Sequence, residues 1–290
     1  MSAVAARLDA YYRLVRLDRP IGALLLLWPA MWSLWFAAYG TPHVKTLVIF
    51  VLGVFLTRSA GCAVNDFADR DFDPHVERTR NRPLAARRIA AWEAIAVAAA
   101  LFGIAFLLVL QLNRLTVLLS FAALVIAVIY PFLKRVFPFP QAWLGLAFGF
   151  SIPMAYAAET GAVPDTAWLL LLANVFWSIA YDTEYAMVDR DDDLRIGVKS
   201  SAILLGRYDV AGVMASQALF LGLMAYVGWQ QAMRLPYIAG LAVAVLLAVH
   251  QYRLIRGRER QACFRAFLNN NWLGFAVFLG TVVDFYFRVR

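Results

Sequence analysis

The chain has 290 residues, of which 62% are hydrophobic and only 16% charged. A typical soluble domain is nearer half apolar and a quarter charged, so this composition excludes an ordinary soluble protein and favours a membrane protein. The formal net charge is +8, a value that many nucleic-acid-binding proteins share. Here the Lys and Arg residues lie in short segments between apolar runs rather than on one soluble surface, so we exclude that class.

Nine apolar runs are long enough, at about 20 residues each, to cross a bilayer as helices. Turn-forming residues separate several of them, as in Gly40-Thr41-Pro42 and Pro138-Phe139-Pro140. The fifth run is short and contains Pro153, which makes it the weakest of the nine. The predicted spans are 20–39, 45–65, 90–110, 115–133, 141–158, 166–188, 210–230, 236–254 and 270–287.

The positions of the basic residues predict the orientation of these spans. With the N-terminus in the cytosol, 21 of the 27 Lys and Arg residues lie on the cytosolic side, 5 lie outside, and Arg58 falls within a span. This asymmetry follows the positive-inside rule and supports an odd number of helices. Residues 1–19 are basic and mildly amphipathic, which is typical of an interfacial segment rather than a transit peptide. We therefore expect a bacterial inner (plasma) membrane protein.

The first acidic cluster is the segment NDFADRDFD, residues 65–73, which follows the second apolar run. If the helix continues through it, Asn65, Asp69 and Asp73 have i, i+4, i+8 spacing and share one face, with Asp66 beside Asp69. Like charges at these spacings repel, so a cation must compensate them, and stacked carboxylates suit Mg²⁺. Taken alone, the cluster fits a solvated helix end equally well. Asp71 lies on another face, and its role stays open.

A second acidic cluster, YDTEYAMVDRDDD at residues 181–193, also follows an apolar run. Asp182, Asp189 and Asp193 again share one helix face. Asp182 and Glu184 lie in apolar surroundings, where ionisable side chains are costly and usually functional. Two acidic helix ends on the same membrane side predict one shared metal site.

Basic residues follow each cluster: Arg78, Arg80 and Arg82 after the first, Arg195 and Lys199 after the second. Metal-binding carboxylates beside Arg and Lys indicate a phosphate ester as ligand, although cytosolic Arg residues also satisfy topology alone. The sequence contains no Walker GxxxxGK[ST], no GxGxxG after a strand and no HExxH. Its two cysteines, Cys62 and Cys263, form no disulfide or zinc pattern.

Four segments give the chain a specific resemblance. RLDRPIGALLLLWPAMWSLW (16–35), NDFADRDFDPHVERTRNRPL (65–84), YPFLKR (130–135) and YDTEYAMVDRDDDLRIGVKS (181–200) are similar to the 4-hydroxybenzoate polyprenyltransferases of ubiquinone biosynthesis, within the intramembrane aromatic prenyltransferase superfamily. The match covers nearly the whole chain. The pair of acidic clusters alone indicates only the superfamily. The RPIG–WP and YDTEYAM–DRDDD blocks narrow the resemblance to its 4-hydroxybenzoate branch. One departure is Ala-Ala-Arg-Arg at 85–88, where the family more often has a glycine-containing turn.

The resemblance implies an all-α polytopic membrane protein, with nine transmembrane helices around a central cavity, a cytosolic cap and a single domain over residues 1–290. It implies Mg²⁺-dependent transfer of a polyprenyl group from its diphosphate to 4-hydroxybenzoate, ortho to the hydroxyl, at a site facing the cytosol. The expected partners are these two substrates and the lipid bilayer. Neither nucleic acid nor an obligate protein partner is expected.

Carried onto this chain, the implied metal ligands are Asn65, Asp66, Asp69, Asp73, Asp189 and Asp193, of which Asp69, Asp73, Asp189 and Asp193 are the expected catalytic residues. Arg78, Arg82 and Lys199 are the implied diphosphate contacts, and Arg135, with Lys134 beside it, is the implied partner of the benzoate carboxylate. Tyr130 is a candidate lining residue. Arg58 either faces the cavity and binds substrate or pairs with Asp182 or Glu184, and we favour the cavity.

Three other interpretations remain at this stage. A solute transporter also has intramembrane charges, but here the acidic residues gather at one membrane face. A related prenyltransferase could use another acceptor, such as a naphthoate, haem or chlorophyll precursor. A non-catalytic scaffold would leave two acidic arrays uncompensated. The sequence does not give the prenyl chain length, the oligomeric state or the base that removes the ring proton.

Asn269, Asn270 and Asn271 either bond to cavity groups or cap the last helix.

Overall fold

Twelve α-helices make up the part of the chain that the computed structural model describes, residues 3–133 and 135–289. Two short 3-10 helices, Asp73–His75 and Gly206–Tyr208, add to them, and these residues contain no strand. The all-α prediction is therefore confirmed. The α-helices are α1 Ala3–Leu14, α2 Ile21–Ala37, α3 Val44–Asp69, α4 Ala91–Val109, α5 Arg114–Leu133, α6 Pro140–Gly149, α7 Ser151–Thr160, α8 Asp165–Ile196, α9 Ser201–Leu205, α10 Asp209–Gln230, α11 Leu235–Ile255 and α12 Arg260–Val289.

Most of the predicted spans match observed helices. Among the described residues, six helical segments are long and apolar enough to cross a membrane: Val44–Asp69, Ala91–Val109, Arg114–Leu133, Ser201–Gln230, Leu235–Ile255 and Arg260–Arg288. Ile21–Ala37 is a shorter apolar helix, and the predicted span 166–188 lies within α8. The protein is thus a multi-pass membrane protein, while the count of nine spans stays a prediction.

The predicted fifth span, 141–158, is divided into α6 and α7, which meet at Phe150. Pro153 has no N–H to donate to the carbonyl of Gly149, so the hydrogen-bond ladder of α6 cannot continue through it. Gly145 allows α6 to pack closely on α8, because a Cβ there would lie 2.7 Å from the Cα of Val175. Asn174 on α8 donates to the Gly145 carbonyl at 2.9 Å. These two contacts therefore hold α6 against α8, although the helix ends before Phe150.

Helix α12 begins at Arg260, ten residues before the predicted start, so the three asparagines lie inside it and do not cap it. Successive residues of an α-helix point about 100° apart, and each asparagine accepts a hydrogen bond from a different helix. Asn269 bonds Gln251 of α11, Asn270 bonds Trp177 of α8, and Asn271 bonds Trp28 of α2, each at 3.0 Å. We call these residues the asparagine triplet; it fixes the rotation of α12 about its axis.

We expect Asn270→Leu to destabilise the fold by about 2–4 kcal/mol, because two buried polar atoms lose their partner. These are the indole N–H of Trp177 and the carboxylate of Glu184, to which Asn270 donates at 2.7 Å. The free energy of unfolding in mixed micelles measures the effect. The control Gln230→Leu, at an exposed position, should change stability by no more than about 0.5 kcal/mol. Equal effects of the two substitutions would contradict the assignment.

Candidate active site

A cavity of about 690 Å³ lies between helices α2 to α8 and the start of α12. Most of its wall is apolar, with side chains such as Leu25, Phe106, Phe121 and Phe148. One end is polar and is lined by Arg16, Asn65, Asp66, Arg78 and Arg82. We call these five residues the polar mouth. The cavity therefore combines a long apolar interior with one charged end.

The carboxylates of the first acidic cluster are buried rather than solvated. The exposed fractions of Asp66, Asp69 and Asp73 are 0%, 2% and 6%. This excludes the solvated helix end that the segment alone allowed. Ionised carboxylates at such burial require cations or hydrogen-bond donors.

Helix α3 ends at Asp69, so the predicted continuation of the helix is correct for Asn65, Asp66 and Asp69 but wrong for Asp73. The chain turns after Arg70 and places Asp73 at the start of a 3-10 helix. Asp73 nevertheless reaches the same group of residues, because Arg82 bonds it at 2.8 Å and lies 3.3 Å from Asp66. A turn and a shared arginine therefore assemble the site.

Two further contacts and one oxygen without a partner complete the arrangement at α3. Arg16 donates to Asp66 Oδ1 at 2.6 Å, and Asn65 donates to Asp69 Oδ2 at 3.0 Å. Asp66 Oδ2 is buried and has no hydrogen-bond partner in the described part of the chain. Because Asp66 lines the cavity, one carboxylate oxygen is left for a ligand there.

The second acidic cluster joins the first through Arg78. Helix α8 runs to Ile196, as predicted, and carries both Asp189 and Asp193. Arg78 Nε donates to both oxygens of Asp189 at 3.0 and 2.9 Å, and its guanidinium lies 4.5 Å from the ring centre of Tyr185. The segment after α3 is thereby tied to α8, at the polar mouth to which Arg78 belongs.

The charges around Asp73 show how strongly the site favours a cation. Burial raises the pKa of the Asp73 carboxyl; Arg82 opposes this rise, and the neighbouring Asp69 and Asp66 add to it. Burial alone would lower the pKa of Arg82, but Asp66 and Asp73 outweigh it, so that pKa is raised overall. The carboxylates thus repel one another, and positive charge is needed to keep them ionised together.

The residues present fit a magnesium ion in chemistry but are not arranged as a closed metal centre. Within the described ranges, no three His, Cys, Asp or Glu side chains form a ready metal-binding group. Arginines hold several of the predicted ligands instead. The donor set of carboxylate and amide oxygens, with the partnerless Asp66 Oδ2, is nevertheless the set that Mg²⁺ prefers.

Four of the six predicted substrate-binding residues line the cavity, Arg78 and Arg82 at the polar mouth among them, and two do not. Arg58 and Tyr130 lie in its wall. Arg135 donates to the carbonyl of Ala68, near the end of α3, and Lys199 donates to the carbonyl of Val136 at 3.0 Å. Neither of these two residues is among the described lining residues, and Lys134 lies outside the described residues.

Arg58 is a cation in the cavity wall, away from the polar mouth. Its guanidinium carbon lies 5.7 Å from the ring centre of Phe148, and Nε is buried without a hydrogen-bond partner in the described residues. Gly22 leaves room for it, since a Cβ there would lie 2.4 Å from Nε. Glu184, one of its possible partners, bonds Asn270 instead. Arg58 thus presents its guanidinium to the cavity, whose wall also holds Asp182, its other possible partner.

Sequence reasoning missed the role of Arg16, which lay among the basic residues of an interfacial segment. Nothing local distinguishes it from Arg13 or Arg19, and only the packing of α1 brings it to Asp66. Asp182 was marked by its apolar surroundings, and it does line the cavity. Tyr181 and Tyr185 line it too, at positions that follow from the face shared with Asp182 and Asp189.

A cavity with an acidic, arginine-rich mouth and an apolar interior defines the class of protein. The model of the UbiA prenyltransferase family matches residues 26–279, and the chain belongs to that family. A 4-hydroxybenzoate octaprenyltransferase of Azoarcus sp. (strain BH72) is 60% identical over 279 residues, covering 96% of this chain and 97% of the relative. A 4-hydroxybenzoate octaprenyltransferase of Methylobacillus flagellatus is also 60% identical, covering 97% and 95%.

Solved structures show the same fold. The apo structure of a UbiA homolog from Aeropyrum pernix K1 has a TM-score of 0.80 and 26% identity, covering 93% of this chain and 98% of that one. A UbiA homolog from Archaeoglobus fulgidus bound to GPP and Mg²⁺ has a TM-score of 0.72 and 19% identity, covering 93% and 99%. The second likeness concerns the fold alone.

We expect Arg82→Gln to destabilise the protein by about 3–5 kcal/mol, because it removes the arginine that bonds the buried Asp73 and leaves Asp66 with Arg16. Thermal unfolding in micelles measures the loss, and millimolar Mg²⁺ should recover part of it. Arg80→Gln, at an exposed position two residues away, is the matched control and should behave like the unmodified chain. A loss that Mg²⁺ does not reduce would count against a cation site at these carboxylates.

Proposed function

We propose that the protein transfers a polyprenyl group from its diphosphate to the ring carbon ortho to the hydroxyl of 4-hydroxybenzoate, as in ubiquinone biosynthesis. The allylic C–O bond breaks, a C–C bond forms, and diphosphate and one ring proton leave. The observation that carries the proposal is the cavity, whose charged mouth and apolar interior match an ionic head on a lipid tail. The shared name of relatives at 60% identity supports the acceptor.

The polar mouth is proposed to bind the diphosphate. Arg78 and Arg82 supply guanidinium groups, which pair with phosphate oxygens in a bidentate manner. Asn65, Asp66, Asp69, Asp73, Asp189 and Asp193 would hold Mg²⁺, which neutralises the charge of the leaving diphosphate. The Archaeoglobus fulgidus homolog was solved with GPP and Mg²⁺, which is consistent with this assignment. Lys199 keeps its predicted diphosphate role only if its contact with Val136 is exchanged for one with the substrate.

The apolar interior protects the reactive group from water. An allylic cation is captured by any water within reach, so a dry cavity favours attack by the phenol ring. Tyr130, Phe148 and Tyr181 line this region, and their ring faces stabilise positive charge. The chain would thus contribute by excluding water and by stabilising the allylic cation with the negative faces of its aromatic rings.

The benzoate carboxylate is proposed to pair with Arg58. The resemblance indicated Arg135 for this role, but Arg135 bonds a backbone carbonyl outside the cavity wall, whereas Arg58 lies inside it. A carboxylate drawn into an apolar wall requires a cation. Arg58 would therefore orient the acceptor, with its hydroxyl end left to face the other polar residues of the cavity.

The chain is further proposed to lie in the bacterial inner membrane with the polar mouth at the cytosolic side. The excess of Lys and Arg in the segments on that side supports this orientation. The lipid tail of the donor would then remain among apolar helices while its diphosphate reaches the mouth.

The test is direct transfer. Membranes containing the protein are incubated with Mg²⁺, a radiolabelled polyprenyl diphosphate and 4-hydroxybenzoate, and the labelled product is separated. We expect transfer that chelation of Mg²⁺ abolishes. Transfer to a naphthoate, but not to 4-hydroxybenzoate, would replace the proposed acceptor, and solute flux without transfer would favour a transporter.

Replacing both Asp69 and Asp189 with Ala should lower transfer by at least about 1000-fold, since each cluster loses a carboxylate proposed to act on the diphosphate. The doubly substituted Asp71→Ala, Asp191→Ala chain removes the same charge at exposed positions and serves as the control. Normal transfer by the first double variant would refute the assignment of the whole site.

Arg58→Gln should raise KM for 4-hydroxybenzoate by about 10- to 100-fold, the effect of losing a charged hydrogen bond. KM for the prenyl diphosphate should stay within about twofold, because the mouth is unchanged. The intact protein should prefer 4-hydroxybenzoate over its uncharged methyl ester, and the variant should lose that preference. If Arg135→Gln erased the preference and Arg58→Gln did not, the carboxylate would belong to Arg135.

A further inference from the structure

Helix α1 packs beside the polar mouth, although the proposed reaction gives it no task. Its buried side chains Ala10 and Leu14, 1% and 0% exposed, belong to a cluster with Ala60 and Ala63 of α3 and Ala94 of α4. Val15, just beyond α1, accepts a hydrogen bond from Ser59 of α3 at 3.2 Å. The helix is therefore docked on the outer side of the helix that carries the first acidic cluster.

A buried carboxylate outside the site holds α1 in this position. Glu93, in the first turn of α4, is only 4% exposed. Its Oε1 accepts from the backbone N–H of Ala90 at 2.8 Å. Its Oε2 accepts from Arg7 at 2.5 Å and from the hydroxyl of Tyr11. Arg7 and Tyr11 are one turn apart on α1, so a single oxygen receives two donors from the same face of that helix.

The end of α1 places Arg16 in the mouth in an unfavourable backbone conformation. Arg16 has φ of +58°, and the N–H of Leu17 bonds the carbonyl of Tyr12 at 3.2 Å, as in a Schellman C-terminus. Glycine is the usual residue at this left-handed position because other residues are strained there. An arginine stands here although the backbone favours glycine, and the turn directs its side chain towards Asp66.

The hydrogen bonds of the Arg16 guanidinium hold the group in a position from which it can also bind a ligand. Nη1 donates to the carbonyl of Arg13 at 2.6 Å and Nη2 to Asp66 Oδ1 at 2.6 Å. Two of the five N–H donors of an arginine thus hold the group in place, and the others remain for a phosphate oxygen. Arg16 is one of the cavity-lining residues, beside Asp66 and Arg82.

We propose that Glu93 is a positioning residue of the site. By binding Arg7 and Tyr11 it holds α1, and α1 in turn fixes Arg16 against Asp66, where Arg16 acts with Arg78 and Arg82 on the diphosphate. This inference rests on the proposed function, since it assumes a diphosphate in the mouth. It assigns to substrate binding both Glu93, which is not among the described cavity-lining residues, and α1, whose Arg13 is.

The test measures binding rather than turnover. Farnesyl thiodiphosphate, an unreactive analogue of a prenyl diphosphate, is titrated with Mg²⁺ into the full-length protein in nanodiscs. Glu93→Gln keeps an acceptor for Ala90 but loses the charge that Arg7 pairs with, so Kd should rise about 3- to 10-fold. Asp9→Asn removes the same charge from an exposed ion pair of α1 and should change Kd by less than about twofold. Unchanged binding by Glu93→Gln overturns the proposal.

A double-mutant cycle separates positioning from stability. If Glu93 acts through Arg16, Glu93→Gln adds no further loss in an Arg16→Gln background. The same loss in both backgrounds overturns the proposal. Should Glu93→Gln fail to fold, Tyr11→Phe and Arg7→Gln replace it in the cycle with the same criteria.

Arg16→Gly gives an independent readout, because glycine relieves the left-handed backbone. Its thermal stability should equal or exceed that of Arg16→Gln, which loses the same contact with Asp66 but keeps the strained backbone, while its Kd should rise about 10-fold or more, as for Arg16→Gln. Unchanged binding by Arg16→Gly would show that only the backbone turn matters and would overturn the proposal.

The outcomes for the unmodified chain keep the two proposals apart. Analogue binding without transfer to 4-hydroxybenzoate refutes the proposed function and leaves the positioning role intact. Transfer by the unmodified chain, with equal analogue affinity in Glu93→Gln, refutes the positioning role alone. Failure of the unmodified chain to bind the analogue refutes both.

Discussion

The compensation of buried carboxylates by arginines is the constraint on which the site depends. Asp66, Asp69 and Asp73 are nearly inaccessible, and three acidic groups at such spacing cannot remain ionised without positive charge nearby. The chain supplies that charge from distant segments: Arg16 from the end of α1 and Arg82 from the segment after α3. Arg78 extends the pairing to Asp189 on α8. The same pairs that stabilise the fold therefore bring the site together.

These pairs also explain how the site can exchange ligands. A carboxylate bound to a guanidinium is prepared for another cation, and a guanidinium bound to a carboxylate is prepared for another anion. A magnesium diphosphate carries both signs of charge, so in the proposed reaction its binding would replace each contact with one of the same kind. Binding then need not leave any buried charge unpaired at any stage.

Periodicity and composition predicted most of the fold, because lipid imposes strong limits on sequence. A helix must satisfy its own backbone in a bilayer, so long apolar runs become helices whatever they pack against. Departures occur where tertiary contacts decide. Asp73 leaves the helical face because α3 ends at Asp69. The asparagine triplet lies within α12 because neighbouring helices bond it, and a run of asparagines by itself is typical of a helix start.

The site was predictable in part, for a similar reason. Spacing placed Asn65, Asp66 and Asp69 on one helix end and Asp189 and Asp193 on another, and the structure retains both. Sequence reasoning also favoured the cavity for Arg58, which lines it, but it gave no sign that Arg135 is absent from the described lining. Arg135 follows an aromatic segment and looked suited to an acid, yet it bonds the carbonyl of Ala68. Arg58 is in the wall because Gly22 leaves it space, and Arg16 is there because α1 is docked. Such contacts between distant segments have no local signature.

The asparagine triplet has a consequence for how this chain can change over evolutionary time. Insertion of one residue before Asn269 would turn the following half of α12 by about 100° and present each amide to the wrong neighbour. All three hydrogen bonds would be lost in one genetic event. We therefore expect an insertion near either end of this helix to be tolerated better than one beside the triplet. The register of residues inside α12 is therefore fixed by three side-chain hydrogen bonds to three neighbouring helices.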